Sequence, residues 1–244
     1  WVEKFERAIC DKYGVKHCIG VNSGTDGLIL GLRAMGVGSG NTVLTTANTF
    51  VATAAAILAV GARPFFVDVG ADYCMDLGLA VSRRVKAAIP VHLTGLAKRS
   101  SFGPHNYDPL VLHDSCQAIG AAYEGQSAAA FGNLSVFSLH PLKNLHALGD
   151  GGFVTTDSDH YASAIRLLRN HGLTDRDHCE KPGFNSRLDS IQAIAAWHGL
   201  KRLDEVIEKR QNNARRYDEG LKGIVEVPER DPKAKQVYHT YVVM

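Results

Sequence analysis

The sequence has few of the features that mark secreted, metal-binding or membrane proteins. Its five cysteines form no CxxC pair, and its eleven histidines show no spacing typical of metal ligands. An odd number of cysteines in a chain of 244 residues fits reduced thiols better than a disulfide framework. The longest apolar stretch, residues 50–62, has about 13 residues, which is too few to span a bilayer. We therefore expect a cytoplasmic protein without a metal site or a membrane segment.

The chain also lacks a strong charge of either sign. A net charge of +2 is too small to indicate a nucleic-acid-binding surface or a polybasic membrane anchor. Hydrophobic residues make up 45% of the chain, which is ordinary for a globular protein with a substantial core. No signal peptide is visible. Because Trp1 falls within a helical pattern and residues 242–244 within a strand-like run, we expect a fragment that lacks part of a second domain.

Short apolar runs alternate with helical patterns along most of the chain. The strand candidates are residues 17–21, 42–45, 64–67, 87–92, 110–113, 135–138 and 152–155. The helix candidates between them are residues 24–35, 49–60, 77–85 and 159–169. This alternation favours a largely parallel α/β sheet with helices on both faces. Ligands bind such sheets at the carboxyl ends of the strands.

The pattern changes after residue 187. Apolar residues recur at helical spacing over residues 188–221, which predicts one long helix or two abutting helices, with Gly199 as a possible interruption. Residues 225–227 and 237–243 are strand-like. We therefore predict a large domain over residues 1–200, followed over residues 201–244 by a linking helix and an incomplete small domain.

Lys143 follows one strand candidate within an otherwise apolar run. A lysine bonds covalently to a carbonyl carbon only when it is neutral, so burial or nearby positive charge must lower its pKa. An arbitrary lysine is more often a surface residue. Ser138, at the end of the preceding strand, could add a hydroxyl group to a phosphate site.

Asp114 ends another apolar strand candidate. A carboxylate is costly to bury there unless it is paired, and a protonated pyridine nitrogen would be a suitable partner. The alternative is that Asp114 caps a following helix. Gln117 lies about one helical turn further on and could reach a hydroxyl group of the same ring.

A turn of small polar residues, Asn22-Ser23-Gly24-Thr25, precedes a helix candidate. Free N–H groups and the helix dipole favour a phosphate there, although a simple capped helix is the more common structure. Phe50 could stack on a flat ring or be a core residue. Asn185 could cap a helix or reach a ligand across a dimer interface. Together, the lysine Lys143, the aspartate Asp114 and the amide-rich turn at residues 22–25 predict a site for pyridoxal phosphate.

With these residues laid out, the chain resembles the DegT/DnrJ/StrS family of pyridoxal-phosphate-dependent nucleotide-sugar aminotransferases. The resemblance is carried, in the order of the family, by residues 23–25, 49–53, 90–95, Asp114 with Gln117, residues 137–145, 149–152, 169–172, 185–189 and Tyr238-His239. It implies the aspartate-aminotransferase (type I) fold. In that fold a three-layer α/β/α large domain has a mostly parallel mixed sheet, and a smaller α+β domain follows it.

The resemblance also implies roles for the residues named above. Lys143 would attach the cofactor and move protons, and Asp114 would pair with the pyridine nitrogen. Gln117 would contact the ring hydroxyl group, and Phe50 would stack on the ring. The phosphate would be bound by Gly24, Thr25, Asp26 and Ser138. Asn185 would join from the second subunit of a homodimer with shared active sites.

The implied reaction moves an amino group from glutamate or glutamine to a keto-sugar, attached to a nucleotide, for amino-sugar biosynthesis. Two alternatives stay open: a cofactor-dependent sugar dehydratase and a catalytically silent regulatory relative. The former commonly carries His in place of the lysine, and the latter tends to lose the lysine or the aspartate. Because Lys143 and Asp114 are both present, the transaminase is favoured. The run His113-Asp114-Ser115-Cys116-Gln117 departs from the Glu-Asp-Ala-Ala-Gln that is frequent in the family.

Overall fold

The computed structural model describes residues 1–75, 85–98, 109–227 and 230–243. Its helices are α1 (Val2–Tyr13), α2 (Gly24–Ala34), α3 (Val51–Ala59), α4 (Asp159–Leu168), α5 (Ser190–Leu200) and α6 (Leu203–Gly220). Its strands are β1 (His17–Val21), β2 (Thr42–Thr46), β3 (Arg63–Val67), β4 (Ala87–Ala88), β5 (Leu110–Asp114), β6 (Ala122–Tyr123), β7 (Gln126–Ser127), β8 (Leu134–Ser138), β9 (Gly152–Thr156) and β10 (Ala234–Lys235). Within this part of the chain, no helix is long and apolar enough to cross a membrane.

Seven strands form one mixed sheet in the order β1-β9-β8-β5-β4-β2-β3. Neighbouring strands from β3 to β8 pair in parallel, whereas β9 runs antiparallel to both β1 and β8. Strand β9 is therefore the one strand of this sheet that runs opposite to the other six, and the sheet is mixed but mostly parallel. The carboxyl ends of β1, β5 and β8 consequently lie along the same edge of the sheet.

Hydrophobic cores lie on both faces of this sheet. Successive side chains of a strand point to opposite faces, and on β8 Val136 and Phe137 belong to different cores. Helices α2, α3 and α4 cover the face with Val136, while α1, α5 and α6 cover the face with Phe137. The Phe137 and Phe153 rings stack there, 4.8 Å apart. The predicted three-layer α/β/α architecture is confirmed.

Most predicted strands and helices agree with the structure to within two residues. The strand predicted over residues 87–92 is shorter, because only Ala87 and Ala88 pair within the sheet before the chain reaches Pro90. An isolated bridge then pairs Val91 with Asp114. Most of the helix predicted over residues 77–85 lies outside the described residues.

The C-terminal prediction is partly wrong. Of the two alternatives, the two abutting helices are present, but the break falls at Lys201 and Arg202 rather than at Gly199. This break allows Leu200 and Leu203 to be buried together. Residues 225–227 and 237–243 form no strand. Strand β10 pairs instead with β6. The division into domains at residue 200 stays a prediction.

Residues 237–243 do not form a strand, because the backbone groups of Val237 make hydrogen bonds to Gly95 and Asn144 instead of to a neighbouring strand. Its N–H group donates to the carbonyl oxygen of Gly95 (3.0 Å), and its carbonyl oxygen accepts from Nδ2 of Asn144 (3.0 Å). The Val237 side chain is fully buried in the core that contains Phe137. The C-terminal segment is thereby fixed to the sheet domain next to Lys143.

Candidate active site

A cavity of about 300 Å³ opens at the carboxyl ends of β1, β5 and β8. Seven of the nine predicted site residues line it: Gly24, Thr25, Phe50, Asp114, Gln117, Ser138 and Lys143. These residues come from four separate parts of the sequence and meet because parallel strands end at the same edge of the sheet.

The other two predicted residues lie outside this cavity. The N–H group of Asp26 donates to Oγ of Ser23 (3.0 Å), so that this amide is used within the helix cap. Asn185 is exposed and forms an isolated bridge with Asn170. Its role across an interface stays a prediction.

The N-terminus of α2 faces the cavity and offers amide groups to an anion. Ser23 caps the helix, and the N–H group of Gly27 donates to the Ser23 carbonyl oxygen (3.0 Å). The first-turn N–H groups of Gly24 and Thr25 thus have no acceptor within the helix. At Gly24 an added Cβ would lie 2.7 Å from Sγ of Cys116 and 3.1 Å from Cβ of Ser138. A glycine therefore lets this helix approach the ends of β5 and β8 closely.

Lys143 is half-buried at the cavity, and its backbone N–H donates to the His140 carbonyl oxygen (2.9 Å). Burial lowers the pKa of its amine, and the neighbouring acidic groups of Cys116 and Asp114 partly oppose this shift. A lowered pKa increases the fraction of neutral amine, which is the nucleophilic and proton-accepting form.

Asp114 is only 4% exposed, and both of its carboxylate oxygens accept hydrogen bonds. The Thr53 hydroxyl donates to Oδ2 (2.7 Å), and the Cys116 N–H donates to Oδ1 (3.2 Å). Asp114 therefore enters the cavity as a buried, hydrogen-bonded carboxylate opposite in charge to a protonated Lys143. The alternative role of Asp114 as a cap of a regular helix is wrong, because turn structure follows it.

Phe50 is 64% exposed, so it is not a core residue. It precedes α3 and its ring lines the cavity. An exposed aromatic face at the entrance of a cavity is suited to stacking on a planar ligand.

Sequence reasoning gave no role to three residues of this site. Thr53 bonds to Asp114, and Cys116 and His239 line the cavity. Burial, followed by the charges of Lys143 and Arg210, lowers the pKa of His239 to about 4, and burial raises that of the Cys116 thiol. Both side chains are thus neutral at pH 7. The pair Tyr238-His239 was visible as a motif, but its position beside Lys143 follows from how residue 237 docks.

The donors and acceptors of the cavity fit pyridoxal phosphate. Oε1 of Gln117 is buried and has no hydrogen-bond partner in the described parts of the chain, so a ligand hydroxyl group would satisfy it. Free amides at α2 suit a phosphate, and the Asp114 carboxylate suits a protonated ring nitrogen. Among the residues that the structure describes, no group of three or more His, Cys, Asp or Glu residues could hold a metal ion.

Comparisons with known proteins agree with this geometry. The model of the DegT/DnrJ/EryC1/StrS aminotransferase family matches residues 1–244. The dTDP-3-amino-3,4,6-trideoxy-alpha-D-glucose transaminase of Micromonospora megalomicea subsp. nigra is 38% identical, over 99% of this chain and 68% of that protein. The UDP-N-acetyl-3-dehydro-alpha-D-glucosamine 3-aminotransferase of Acidithiobacillus ferrooxidans is 39% identical, over 98% of this chain and 67% of that protein.

A solved structure gives the same fold together with the cofactor. The crystal structure of NtdA from Bacillus subtilis, with bound cofactor PMP, is 29% identical and superposes with a TM-score of 0.90. The match covers 99% of this chain and 58% of that one. PMP is the aminated form of pyridoxal phosphate, the cofactor on which the family depends. The chain therefore belongs to the DegT/DnrJ/EryC1/StrS aminotransferase family.

Proposed function

We propose that this protein transfers an amino group from glutamate or glutamine to a keto-sugar attached to a nucleoside diphosphate, in amino-sugar biosynthesis. The observation that carries the proposal is that Lys143 and Asp114 line one cavity beneath the N-terminus of α2. The relatives named above act on dTDP- and UDP-linked amino sugars, which supports a nucleotide-sugar substrate.

When bound, pyridoxal phosphate supplies a carbonyl group that takes up an amino group and a ring that withdraws electrons. The N–H groups of Gly24 and Thr25 and the hydroxyl of Ser138 bind its phosphate in this proposal. The carboxylate of Asp114 holds the proton on the ring nitrogen. Oε1 of Gln117 accepts a hydrogen bond from the ring hydroxyl group.

Two further side chains complete the proposed mechanism. The ring of Phe50 covers one face of the cofactor and excludes water from it. Lys143 holds the cofactor when no amino donor is present. The amino donor would displace Lys143 from the cofactor. The freed neutral amine of Lys143 would then take the proton from the α-carbon of the donor and give a proton back on the cofactor side of the exchange, as general base and acid. Burial supports this role because it lowers the pKa of the amine.

We also propose that the protein works as a cytoplasmic homodimer in which Asn185 of one subunit reaches the cofactor site of the other. Large apolar side chains next to the cavity support an interface, since Phe50, Val51 and Leu142 are 64%, 69% and 76% exposed. The five cysteines are free thiols, which supports a reducing compartment. The low net charge supports small-molecule substrates rather than nucleic acid or membrane.

A lysine substitution tests this function. We expect Lys143→Ala to abolish amino transfer and the covalent link that borohydride fixes between protein and cofactor, because Lys143 is the only lysine among the described residues that line the cavity. Lys222→Ala, at an exposed lysine, is the control and should keep both properties. Amino transfer that persists in Lys143→Ala would refute the assignment. An incubation of the wild-type protein with a keto-sugar nucleotide and glutamate distinguishes amination from loss of a sugar hydroxyl group.

A further inference from the structure

Two threonine hydroxyl groups form a chain of hydrogen bonds that ends at the carboxylate of Asp114. Oγ1 of Thr53 is 2.7 Å from Oδ2 of Asp114, and Oγ1 of Thr49 is 2.6 Å from Oγ1 of Thr53. Thr53 is fully buried and belongs to the first turn of α3, where its N–H group donates to the carbonyl oxygen of Phe50 (3.1 Å). The turn that carries Phe50 to the edge of the cavity therefore also carries a hydroxyl group to the buried carboxylate.

The direction of these hydrogen bonds follows from the chemistry of the groups. An ionised carboxylate only accepts, so Thr53 must give its single hydroxyl proton to Oδ2 of Asp114. Thr53 can then only accept from Thr49, whose hydroxyl proton goes to Oγ1 of Thr53 (2.6 Å) rather than to the more distant carbonyl oxygen of Phe50 (3.3 Å). Hydrogen bonds in such a chain polarise and strengthen one another. Two donors thus act in sequence on a single oxygen of Asp114.

The second oxygen of Asp114 is held from another element. The N–H group of Cys116 donates to Oδ1 (3.2 Å), so the two oxygens are fixed by α3 and by the turn after β5. A carboxylate held at both oxygens cannot rotate freely about its Cβ–Cγ bond, and its remaining lone pairs keep one direction. Asp114 lines the cavity in this fixed orientation.

We propose that Thr53 is a positioning residue for the cofactor: its hydroxyl group, supported by that of Thr49, aims the Asp114 carboxylate at the ring nitrogen. The proposal rests on the function proposed above for Asp114. Thr53 acts through Asp114, since its hydroxyl group bonds to that carboxylate and Thr53 does not itself line the cavity. Its hydroxyl group should therefore matter for cofactor affinity and for turnover rather than for binding of the sugar substrate.

The test compares Thr53→Val, which removes the hydroxyl group, with Thr53→Ser, which keeps it. The dissociation constant of pyridoxal phosphate is measured by fluorescence titration of the apoprotein, and the melting temperature is recorded for each variant. We expect the dissociation constant to rise about tenfold or more in Thr53→Val, as for loss of a hydrogen bond to a charged group, and to stay within about threefold in Thr53→Ser. In Thr53→Val, kcat should fall while KM for the sugar substrate is retained.

Thr155→Val is the matched control. Thr155 is also fully buried and donates a hydrogen bond, but to the carbonyl oxygen of Ala129 (2.7 Å), and it does not line the cavity. This variant should lower the melting temperature and leave the dissociation constant of pyridoxal phosphate unchanged. A general loss of stability is thereby separated from a specific effect on the cofactor.

Two results would overturn the proposal: a dissociation constant in Thr53→Val within twofold of the wild-type value, or equal weakening in Thr53→Val and Thr53→Ser. Should Thr53→Val not fold, Thr49→Val decides, since it removes only the distal hydroxyl group. A rise of about threefold in its dissociation constant for pyridoxal phosphate supports the proposal, whereas an unchanged dissociation constant overturns it. A wild-type protein that fails to bind pyridoxal phosphate would instead refute the proposed function itself.

Discussion

His92 and His113 lie side by side in the core, with Nε2 of His92 and Nδ1 of His113 2.9 Å apart. The ring of Phe131 packs edge-on against both. Burial lowers the pKa of His92 to about 4, and burial together with the neighbouring His92 lowers the pKa of His113 well below its ordinary value. Both imidazoles are neutral at pH 7 and share one hydrogen bond directly beside the backbone of Asp114.

The neutral pair predicts a loss of stability in acid. Above pH 6.5 His92 is unprotonated in both the folded and the unfolded protein, so its titration does not affect stability. Below pH 6.5 His92 gains a proton in the unfolded chain, whereas in the folded protein it gains one only near pH 4. The free energy of unfolding should therefore fall as the pH is lowered from 6.5 to 4, by on the order of 3 kcal/mol for a shift of this size at one histidine. Urea unfolding at several pH values measures this fall.

Substitution of the pair identifies its contribution. In the double variant His92→Gln, His113→Gln the two amides can still bond to each other but cannot titrate, so the pH dependence should become shallower. His160→Gln, at an exposed histidine, should leave it unchanged. Equal slopes for the wild-type protein and the double variant would show that other groups cause the acid sensitivity.

Single residues of the site differ in how far the sequence predicts them. Lys143 and Asp114 are recognisable because each follows an apolar strand, and strand ends converge in a parallel sheet. Thr53 is not recognisable, since its role depends on a contact with a residue 61 positions away and any threonine in a helical pattern looks the same. His239 belongs to a motif but reaches the cavity only because Val237 docks against Gly95.

The start of α2 rests directly on the first residue of β9. A Cβ added at Gly152 would lie 2.7 Å from the carbonyl carbon of Ser23 and 2.8 Å from the amide nitrogen of Gly24. These are backbone atoms of the helix cap and cannot rotate away. The absence of a side chain at position 152 therefore determines how closely the amide groups of α2 approach the sheet.

Gly152→Ala should separate these two elements. We expect a destabilisation of roughly 1–3 kcal/mol from overpacking, with weaker binding of pyridoxal phosphate because the Gly24 and Thr25 amides move. Gly38→Ala is the control, since the nearest atom to its added Cβ is the Val60 carbonyl oxygen at 3.7 Å. Urea unfolding and cofactor titration measure both effects. If the two variants are equally stable, the close contact at Gly152 has no energetic weight.

Strands are predicted best from the sequence where a run of buried apolar residues marks both of their ends. Strands β1, β5 and β8 are apolar runs that stop at polar residues, and strands that are covered on both faces of a sheet have this pattern. Residues 237–243 have a similar pattern but form no strand, because Val237 gives its backbone groups to Gly95 and Asn144. Such partners are distant in the sequence, and a local pattern holds no information about them.

At the scale of the molecule, the proposed site residues fall into two groups. Lys143 and Asp114 line the same cavity of one chain, whereas Asn185 is exposed outside it. Exposed apolar side chains next to the cavity, Phe50 and Leu142 among them, would be covered by a second subunit. A symmetric dimer would then complete each cavity with Asn185 of the partner, and it would contain two equivalent sites.

A mixing experiment distinguishes such shared sites from sites within one chain. Lys143→Ala and Asn185→Ala should each be nearly inactive alone. When both are unfolded together and refolded, random pairing makes about half of the dimers hybrids, and one of the two sites in each hybrid has all its residues intact. Activity should therefore recover to about a quarter of the wild-type value.

Mixing Lys143→Ala with Asp114→Ala is the control. Both residues line the cavity of the same chain, so every site of this hybrid lacks one of them and activity should stay absent. Differently tagged chains allow the hybrids to be isolated and counted. Recovered activity requires a wild-type Lys143 and a wild-type Asn185 on different chains, so no site confined to one subunit can produce this activity. If hybrids of Lys143→Ala and Asn185→Ala form but stay inactive, Asn185 does not act across the interface.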